Sequence, residues 1–190
     1  LATGQMIAGA GRLAAGFMQL VLLAIGVVGG AALVGVPQLE LSGSSQPLGP
    51  LGPWLAVAVF GTAIVVHQSG RRQSIGWTLL VLYVAYGAQV IGDIFFGGVL
   101  SAFIGAFAMT PVAALVSRFR AGPAEFVSFL PGFWLLVPGA LGLVGVASIL
   151  DGDSAGLTTL VTTTSTMVAI ALGILSGMAI SSRWEPSRLR

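Results

Sequence analysis

Cysteine and lysine are absent from this sequence, and it has a single histidine, His67. Without cysteine, disulfides and thiolate metal sites are excluded, and one histidine cannot build a metal site alone. Charged residues make up 7% of the 190 residues, whereas a soluble domain has about 25%. Because 56% of the residues are hydrophobic and the mean hydropathy is +1.00, the composition predicts an integral membrane protein.

Signatures of catalysis are missing as well. The sequence contains no H-E-x-x-H motif, no G-x-S-x-G motif and no lysine for a phosphate-binding loop of the Walker A type. We therefore expect neither an enzyme nor a protein with a cofactor or metal site. The isoelectric point near 9.9 does not predict a nucleic-acid partner, because the arginines are spread along the chain instead of forming a patch.

Long apolar runs predict an all-α membrane protein with about six transmembrane helices. About 20 apolar residues at a rise of 1.5 Å each cross the hydrocarbon layer. Cutting the runs at charge clusters and at loops rich in proline, glycine and serine places the turn between the third and fourth spans at Gly92 and Asp93. The predicted spans cover residues 13–36, 54–67, 75–91, 94–116, 126–150 and 157–180.

The charges support an even number of spans. The loops on one side hold Glu40, Asp93, Asp151 and Asp153 and no positive charge. Because arginines in short loops keep those loops in the cytoplasm, the pattern predicts that both ends of this chain are cytoplasmic. All eight arginines fall on the other side of the six-span alternation: Arg12, Arg71, Arg72, Arg118, Arg120, Arg183, Arg188 and Arg190.

Residues 38–53 are rich in proline, glycine and serine, and this composition predicts an extracytoplasmic linker. Residues 1–37 would then be the terminal transmembrane span of a preceding module, and residues 54–190 a five-span membrane domain with a short cytoplasmic tail. The sequence begins without a methionine and has no polar domain before its first apolar run. We therefore expect it to be part of a longer protein.

The fifth predicted span contains two Pro-Gly pairs, Pro131-Gly132 and Pro138-Gly139. Proline removes a backbone N–H and glycine eases irregular backbone, so we expect the helix to be broken at both pairs. Irregular backbone at membrane depth occurs where protein or a water-filled cavity satisfies the freed groups, and it often marks a transporter site. The alternative is two ordinary proline kinks eased by neighbouring helices.

Hydroxyl and ionisable side chains give further candidates. Thr162, Thr163 and Thr166 belong to a dense hydroxyl run in the sixth span, which either lines a polar substrate path or bonds back to its own helix. Asp93 and His67 are candidate proton-coupling groups. Their alternatives are a turn position for Asp93 and a solvated position at the membrane surface for His67.

Small residues inside the spans predict close helix packing, because they let helix backbones approach each other in lipid. Gln19 and Gln89 are further polar residues inside spans, with the same two alternatives as the hydroxyl run: a polar path, or local bonding and packing. The packing candidates are Gly26 and Gly30 in the first span, Gly98, Ala102, Gly105 and Ala106 in the fourth, and Gly173 and Gly177 in the sixth.

The string F-V-S-F-L-P-G-F-W-L-L-V-P-G-A-L-G at residues 126–142 resembles the central motif of the threonine/serine exporter family, in its smaller C-terminal module of about five spans. The resemblance covers about residues 51–183, including the Gly122-Pro123 entry to the fifth span. It implies a secondary transporter of the bacterial cytoplasmic membrane that exports small hydroxy amino acids, or in some members a dicarboxylate, driven by the proton motive force. The residues before Pro37 resemble the last span of the family's N-terminal module.

These observations lead to two main functional hypotheses, with an independent ligand-gated or channel module as a third. The first is export of threonine or serine, with Pro131, Gly132, Pro138 and Gly139 and the hydroxyl face of the sixth span along the path. The second is a structural or accessory subunit whose glycine-rich spans pack against a larger membrane complex. The expected partners are a small-molecule substrate, the lipid bilayer and the N-terminal module of the same protein, and the question of a homo-oligomer is left open.

Overall fold

The computed structural model describes residues 2–34, 49–150 and 152–184. In these ranges it contains α-helices and two short 3-10 turns, and no strand. The predicted linker up to residue 48, the end of the predicted first span, Glu40 and Asp151 lie outside the described residues. The helices are α1 (Ala2–Val34), α2 (Gly52–His67), α3 (Arg72–Phe96), α4 (Gly98–Val116), α5 (Glu125–Leu136), α6 (Gly139–Leu150) and α7 (Ala155–Ser181).

Six segments within the described residues are long and apolar enough to cross a membrane. Five of them are single helices, in one case with a preceding 3-10 turn, and the segment Glu125–Leu150 consists of α5 followed by α6. The number and order of the spans agree with the sequence-based prediction. The chain is therefore an all-α, multi-pass membrane protein.

The turn between the third and fourth spans was predicted at the wrong glycine. Helix α3 continues through Gly92 and Asp93, and the chain turns at Gly97 and Gly98, whose φ angles are +72° and +27°. Glycine reaches positive φ without a steric penalty. Gly92 has a different role, since a Cβ atom there would lie 3.0 Å from the Cα atom of Ser101 in α4. The first glycine allows close packing and the later two allow the turn.

The helices group into two compact units. One unit contains α1, α6 and the part of α7 up to Thr164. The other contains α2 to α5 and the part of α7 from Ser165 onward. The division of the sequence at the linker stays a prediction.

Contacts within the second unit show the direction of each helix. A Cβ atom at Gly105 of α4 would lie 3.0 Å from the Ala85 oxygen of α3, and one at Gly92 would touch Ser101, so α3 and α4 are antiparallel. Gly173 and Gly177 of α7 face Phe103 and Phe107 of α4 in the same order, so α4 and α7 are parallel. The chain between α4 and α7 must then cross the membrane once.

One end of this unit therefore holds the starts of α3 and α5 and the ends of α2, α4 and α7. Arg71, Arg72, Arg118, Arg120 and Arg183 all lie at this end, which is the arginine-rich end of the unit. We call the other end of this unit, which holds the ends of α3 and α5 and the starts of α2 and α4, the opposite end. The clustering of arginines agrees with the alternation predicted from the sequence.

Small residues form much of the core of this unit. Ala102 and Ala106 of α4 are fully buried, and Gly173 of α7 would place a Cβ atom 2.5 Å from the Phe103 oxygen. The packing prediction is thus confirmed for Gly173 and Gly177 of α7 and, in α4, for Ala102, Gly105 and Ala106. It is wrong for Gly98, which is exposed in the turn and where a Cβ atom would have nothing within 4 Å. For α1 it stays a prediction, because a Cβ atom at Gly26 or Gly30 would have nothing within 4 Å among the described residues. The core also includes Val81, Ala85, Met109, Ala113, Val116, Leu136 and Ile170.

Candidate functional site

The fifth span is broken once, at the second Pro-Gly pair. Helix α5 ends at Leu136, Val137 is extended with ψ of 124°, and α6 begins at Gly139. Pro131 lies inside α5, so the break expected there is absent. A Cβ atom at Gly132 would overlap the Met109 side chain of α4. Gly132 therefore serves helix packing, while Pro138 ends the helix by withholding an N–H.

The break lies near the middle of a 26-residue span, because α5 and α6 have 12 residues each. The last carbonyl groups of α5 and the first N–H groups of α6 have no partners within their own helices, as at any helix end. The end of α5 carries a partial negative charge and the start of α6 a partial positive charge. Polar backbone is thus available at a depth where the side chains are largely apolar.

A cavity of about 440 Å³ borders the last turn of α5. This volume lies within the range of small-molecule sites, about 300–1,000 Å³. It is formed by the first turns of α2, the second half of α3 and the end of α5, all in the second unit. Its lining residues are Pro53, Ala56, Val57, Phe60, Tyr86, Gln89, Trp134 and Leu135.

The chemistry of the cavity favours a cationic group on a small, partly apolar molecule. Phe60, Tyr86 and Trp134 offer aromatic faces, which attract cations such as an ammonium group. Gln89 offers an amide oxygen, and the end of α5 adds the partial negative charge of its carbonyl groups. No acidic side chain lines the cavity.

Aromatic contacts fix the wall between α2 and α3. The ring of Trp54 lies 4.9 Å from that of Tyr86 in an edge-to-face arrangement and 6.0 Å from that of Tyr83 in a stacked one. The Tyr83 hydroxyl donates a hydrogen bond of 3.1 Å to the Trp54 carbonyl oxygen. These contacts hold Tyr86 in place beside the cavity.

The hydroxyl run of α7 bonds largely to its own helix. Thr162 donates to the Thr158 carbonyl oxygen at 3.0 Å, and Thr163 donates to the Thr159 carbonyl oxygen at 2.8 Å. Thr163 is buried, and its methyl group lies 3.5 Å from where a Cβ atom at Gly142 of α6 would be. Thr166 is half-buried and belongs to the other compact unit. The alternative of local bonding and packing therefore describes Thr162 and Thr163, and a role along the path stays a prediction.

The two proton-coupling candidates lie far apart along the helices. Asp93 is exposed in the last turn of α3, at the opposite end, and His67 is the exposed last residue of α2, at the arginine-rich end. Neither lines the cavity, and the same holds for Pro131, Gly132, Pro138 and Gly139. Among the described residues, no group of three or more histidine, aspartate or glutamate side chains is placed to hold a metal ion.

Sequence reasoning missed Tyr86 and Trp134 as lining residues and left Gln89 open between a polar path and local bonding. A signal was present for α3, since Tyr86 and Gln89 are three residues apart and so share one face of the helix. Trp134 lies within the motif at residues 126–142. The sequence analysis gave a role there only to the backbone at the two Pro-Gly pairs.

Comparison with known proteins adds no relative. No protein-family model, no curated protein and no solved structure matches this chain. The resemblance to the exporter family therefore rests on the sequence motif and the arrangement of spans around it.

Proposed function

We propose that this chain is part of a secondary transporter that exports threonine or serine across the bacterial cytoplasmic membrane, driven by the proton motive force. The observation that supports it best is the cavity beside the mid-span break between α5 and α6. Discontinuous helices at mid-membrane are where many secondary transporters bind their substrates. With the arginine-rich end in the cytoplasm, both ends of the chain are cytoplasmic.

The cavity suits the ammonium group of an amino acid. The end of α5, the Gln89 oxygen and the Trp134 ring are favourable to a cation. Asp93, inside α3, and His67 remain the proposed proton-coupling groups.

Counterflow in proteoliposomes tests the function directly. Vesicles containing the full-length protein and loaded with unlabelled threonine should accumulate radioactive threonine transiently, and unlabelled serine should compete. Empty liposomes are the control. If threonine, serine and dicarboxylates all fail to give saturable flux, the exporter proposal is wrong.

Gln89→Leu should raise the KM for the exported amino acid by about 3- to 10-fold, because a single hydrogen bond contributes about 0.5–1.5 kcal/mol. The leucine side chain keeps the volume but removes the amide oxygen from the cavity. Gln19→Leu is the matched control, since Gln19 lies in α1 and is exposed. Equal KM values for the two variants would remove Gln89 from the binding site.

The second candidate function is that of an accessory subunit in a larger membrane complex. Its support is α1, a long apolar helix whose glycines at 26 and 30 have open space around them in the described structure. Such a surface suits close packing against another helix. A stable complex with a second membrane protein, together with absence of flux in the counterflow assay, would favour this function over export.

A further inference from the structure

A buried hydroxyl without a hydrogen-bond partner among the described residues lies on α3, nearer the arginine-rich end than the cavity. Thr78 of α3 is 0% exposed, and its Oγ1 atom has no hydrogen-bond partner among the described residues. Thr62 and Thr110 behave differently, since each donates to the carbonyl oxygen four residues earlier. Buried polar atoms are nearly always paired, so the Thr78 hydroxyl is a group that a water molecule or a bound solute would satisfy.

A second buried hydroxyl, that of Ser128 in α5, lies at the same depth along the helix axes as Thr78. A Cβ atom at Gly132 of α5 would be 3.7 Å from Val81 Cγ1 of α3, so these residues are level where the two parallel helices pack. About one turn toward the arginine-rich end, the helices reach Thr78 and Ser128. Ser128 is also 0% exposed, and its hydroxyl donates to the Glu125 carbonyl oxygen at 3.2 Å. Its oxygen remains able to accept a hydrogen bond.

Two leucines lie along α3 between Thr78 and the cavity residue Tyr86. A Cβ atom at Gly61 of α2 would lie 2.5 Å from Leu82 Cδ1 and 2.7 Å from Leu79 Cδ2. Along α3, Tyr86 of the cavity is one turn to one side of Leu82, and Thr78 is one turn to the other side. Leu79, Leu82 and Gly61 therefore form an apolar contact, the leucine constriction, between two polar positions.

We propose that the cleft between α2, α3 and α5 is the translocation path and that the leucine constriction closes it. The hydroxyls of Thr78 and Ser128 form a second binding position, for a small polar solute, on the arginine-rich side of the constriction. This inference rests on the proposed transport function. Apolar constrictions block water and polar solutes without any charged group, and they open when a side chain changes rotamer. The methyl groups of Leu79 and Leu82 fill the space that the missing side chain of Gly61 leaves on α2, so opening requires these leucines to move.

The absence of cysteine makes a direct test practicable, because every introduced thiol is the only one in the chain. Ala56→Cys, Thr78→Cys and Ser128→Cys are each treated with a membrane-impermeant methanethiosulfonate in right-side-out and in inside-out vesicles. Ala56→Cys should react from the opposite end, where the cavity lies. Thr78→Cys and Ser128→Cys should be unreactive from that side until Leu82→Ala is added, which should speed their reaction by at least about tenfold.

Thr110→Cys with Leu82→Ala is the matched control, since Thr110 is equally buried but lies on α4. It should stay unreactive, and labelling at Thr110 would show general loosening and overturn the proposal. Both Thr78 and Ser128 are tested, so that if one cysteine variant fails to fold the other still gives a labelling rate. If neither reacts faster with Leu82→Ala while Ala56→Cys is labelled, the cleft is not the path.

Labelling requires no substrate, so the labelling result tests the proposed path independently of the proposed export of threonine or serine. Threonine counterflow without labelling at Thr78 or Ser128 would support the exporter function and would show that the cleft between α2, α3 and α5 is not the path. Labelling as expected, with no flux of threonine, serine or a dicarboxylate, would keep the cleft as the path of a different solute and overturn the exporter.

Discussion

Gly173→Val should cause the largest loss of stability among substitutions in the helix contacts. Its Cβ atom would lie 2.5 Å from the Phe103 oxygen and 3.1 Å from the Phe107 nitrogen, both backbone atoms of α4 that cannot rotate away. Helices α4 and α7 would have to separate, which also disturbs Ala106 in the core. We expect a loss of about 3 kcal/mol, or a melting temperature lower by about 6–12 °C in detergent.

Gly76→Val is the matched control for this measurement. Gly76 also lies inside a helix, α3, but a Cβ atom there would have nothing within 4 Å. Both variants replace a helical glycine by the same β-branched residue, so their difference isolates the contact between α4 and α7. Identical melting curves by thermal-shift or size-exclusion assays would contradict the packing described for Gly173.

Pro138→Ala should lower export by about 10- to 100-fold while leaving folded protein in the membrane. Alanine restores an N–H at position 138, which can donate to the Trp134 carbonyl oxygen four residues earlier and extend α5 through the break. Trp134 and Leu135 line the cavity, so their backbone would move with this change. Shifts of about 1 Å in a positioned site cost up to about 10²-fold in rate.

Pro131→Ala provides the comparison for the second proline. Because α5 already runs through Pro131 as regular helix, alanine restores one hydrogen bond and changes the path of the chain little. We expect its initial rate of threonine counterflow to stay close to that of the wild type, at equal amounts of protein in the vesicles. Equal losses for both prolines would show that the break at Pro138 has no special role.

Composition and charge were sufficient to predict the number and order of the spans and the clustering of arginines at one end of the second unit, because bilayer thickness and arginine placement act on each segment separately. The turn at Gly97 was missed because every glycine in an apolar run looks alike. Whether a given glycine allows a positive φ or a close approach depends on the neighbouring helix, which a single sequence does not show. The same limit explains why Gly26 and Gly30 were predicted to pack although the described structure leaves them open.

The site was only partly predictable for a related reason. Pro138 could be identified from its own chemistry, since a proline removes an N–H wherever it lies. Pro131 has the same chemistry, yet the packing of Pro131 and Gly132 in the core keeps α5 helical there. The cavity is lined by side chains from three helices that are distant in the sequence. Tyr86 and Gln89 can therefore be identified as lining residues only when the positions of α2 and α5 are known.

The two-glycine turn between α3 and α4 has a consequence for how the protein is made. Gly97 alone separates the two helices, so they form a helical hairpin whose contacts are local in sequence, and such structures assemble quickly. If the arginine-rich end lies in the cytoplasm, as proposed, insertion by the translocation machinery would carry one uncharged residue between the helices across the bilayer, with Asp93 one turn before it. The hairpin can therefore enter the membrane as a pair and offer a folded surface to the helices synthesised after it.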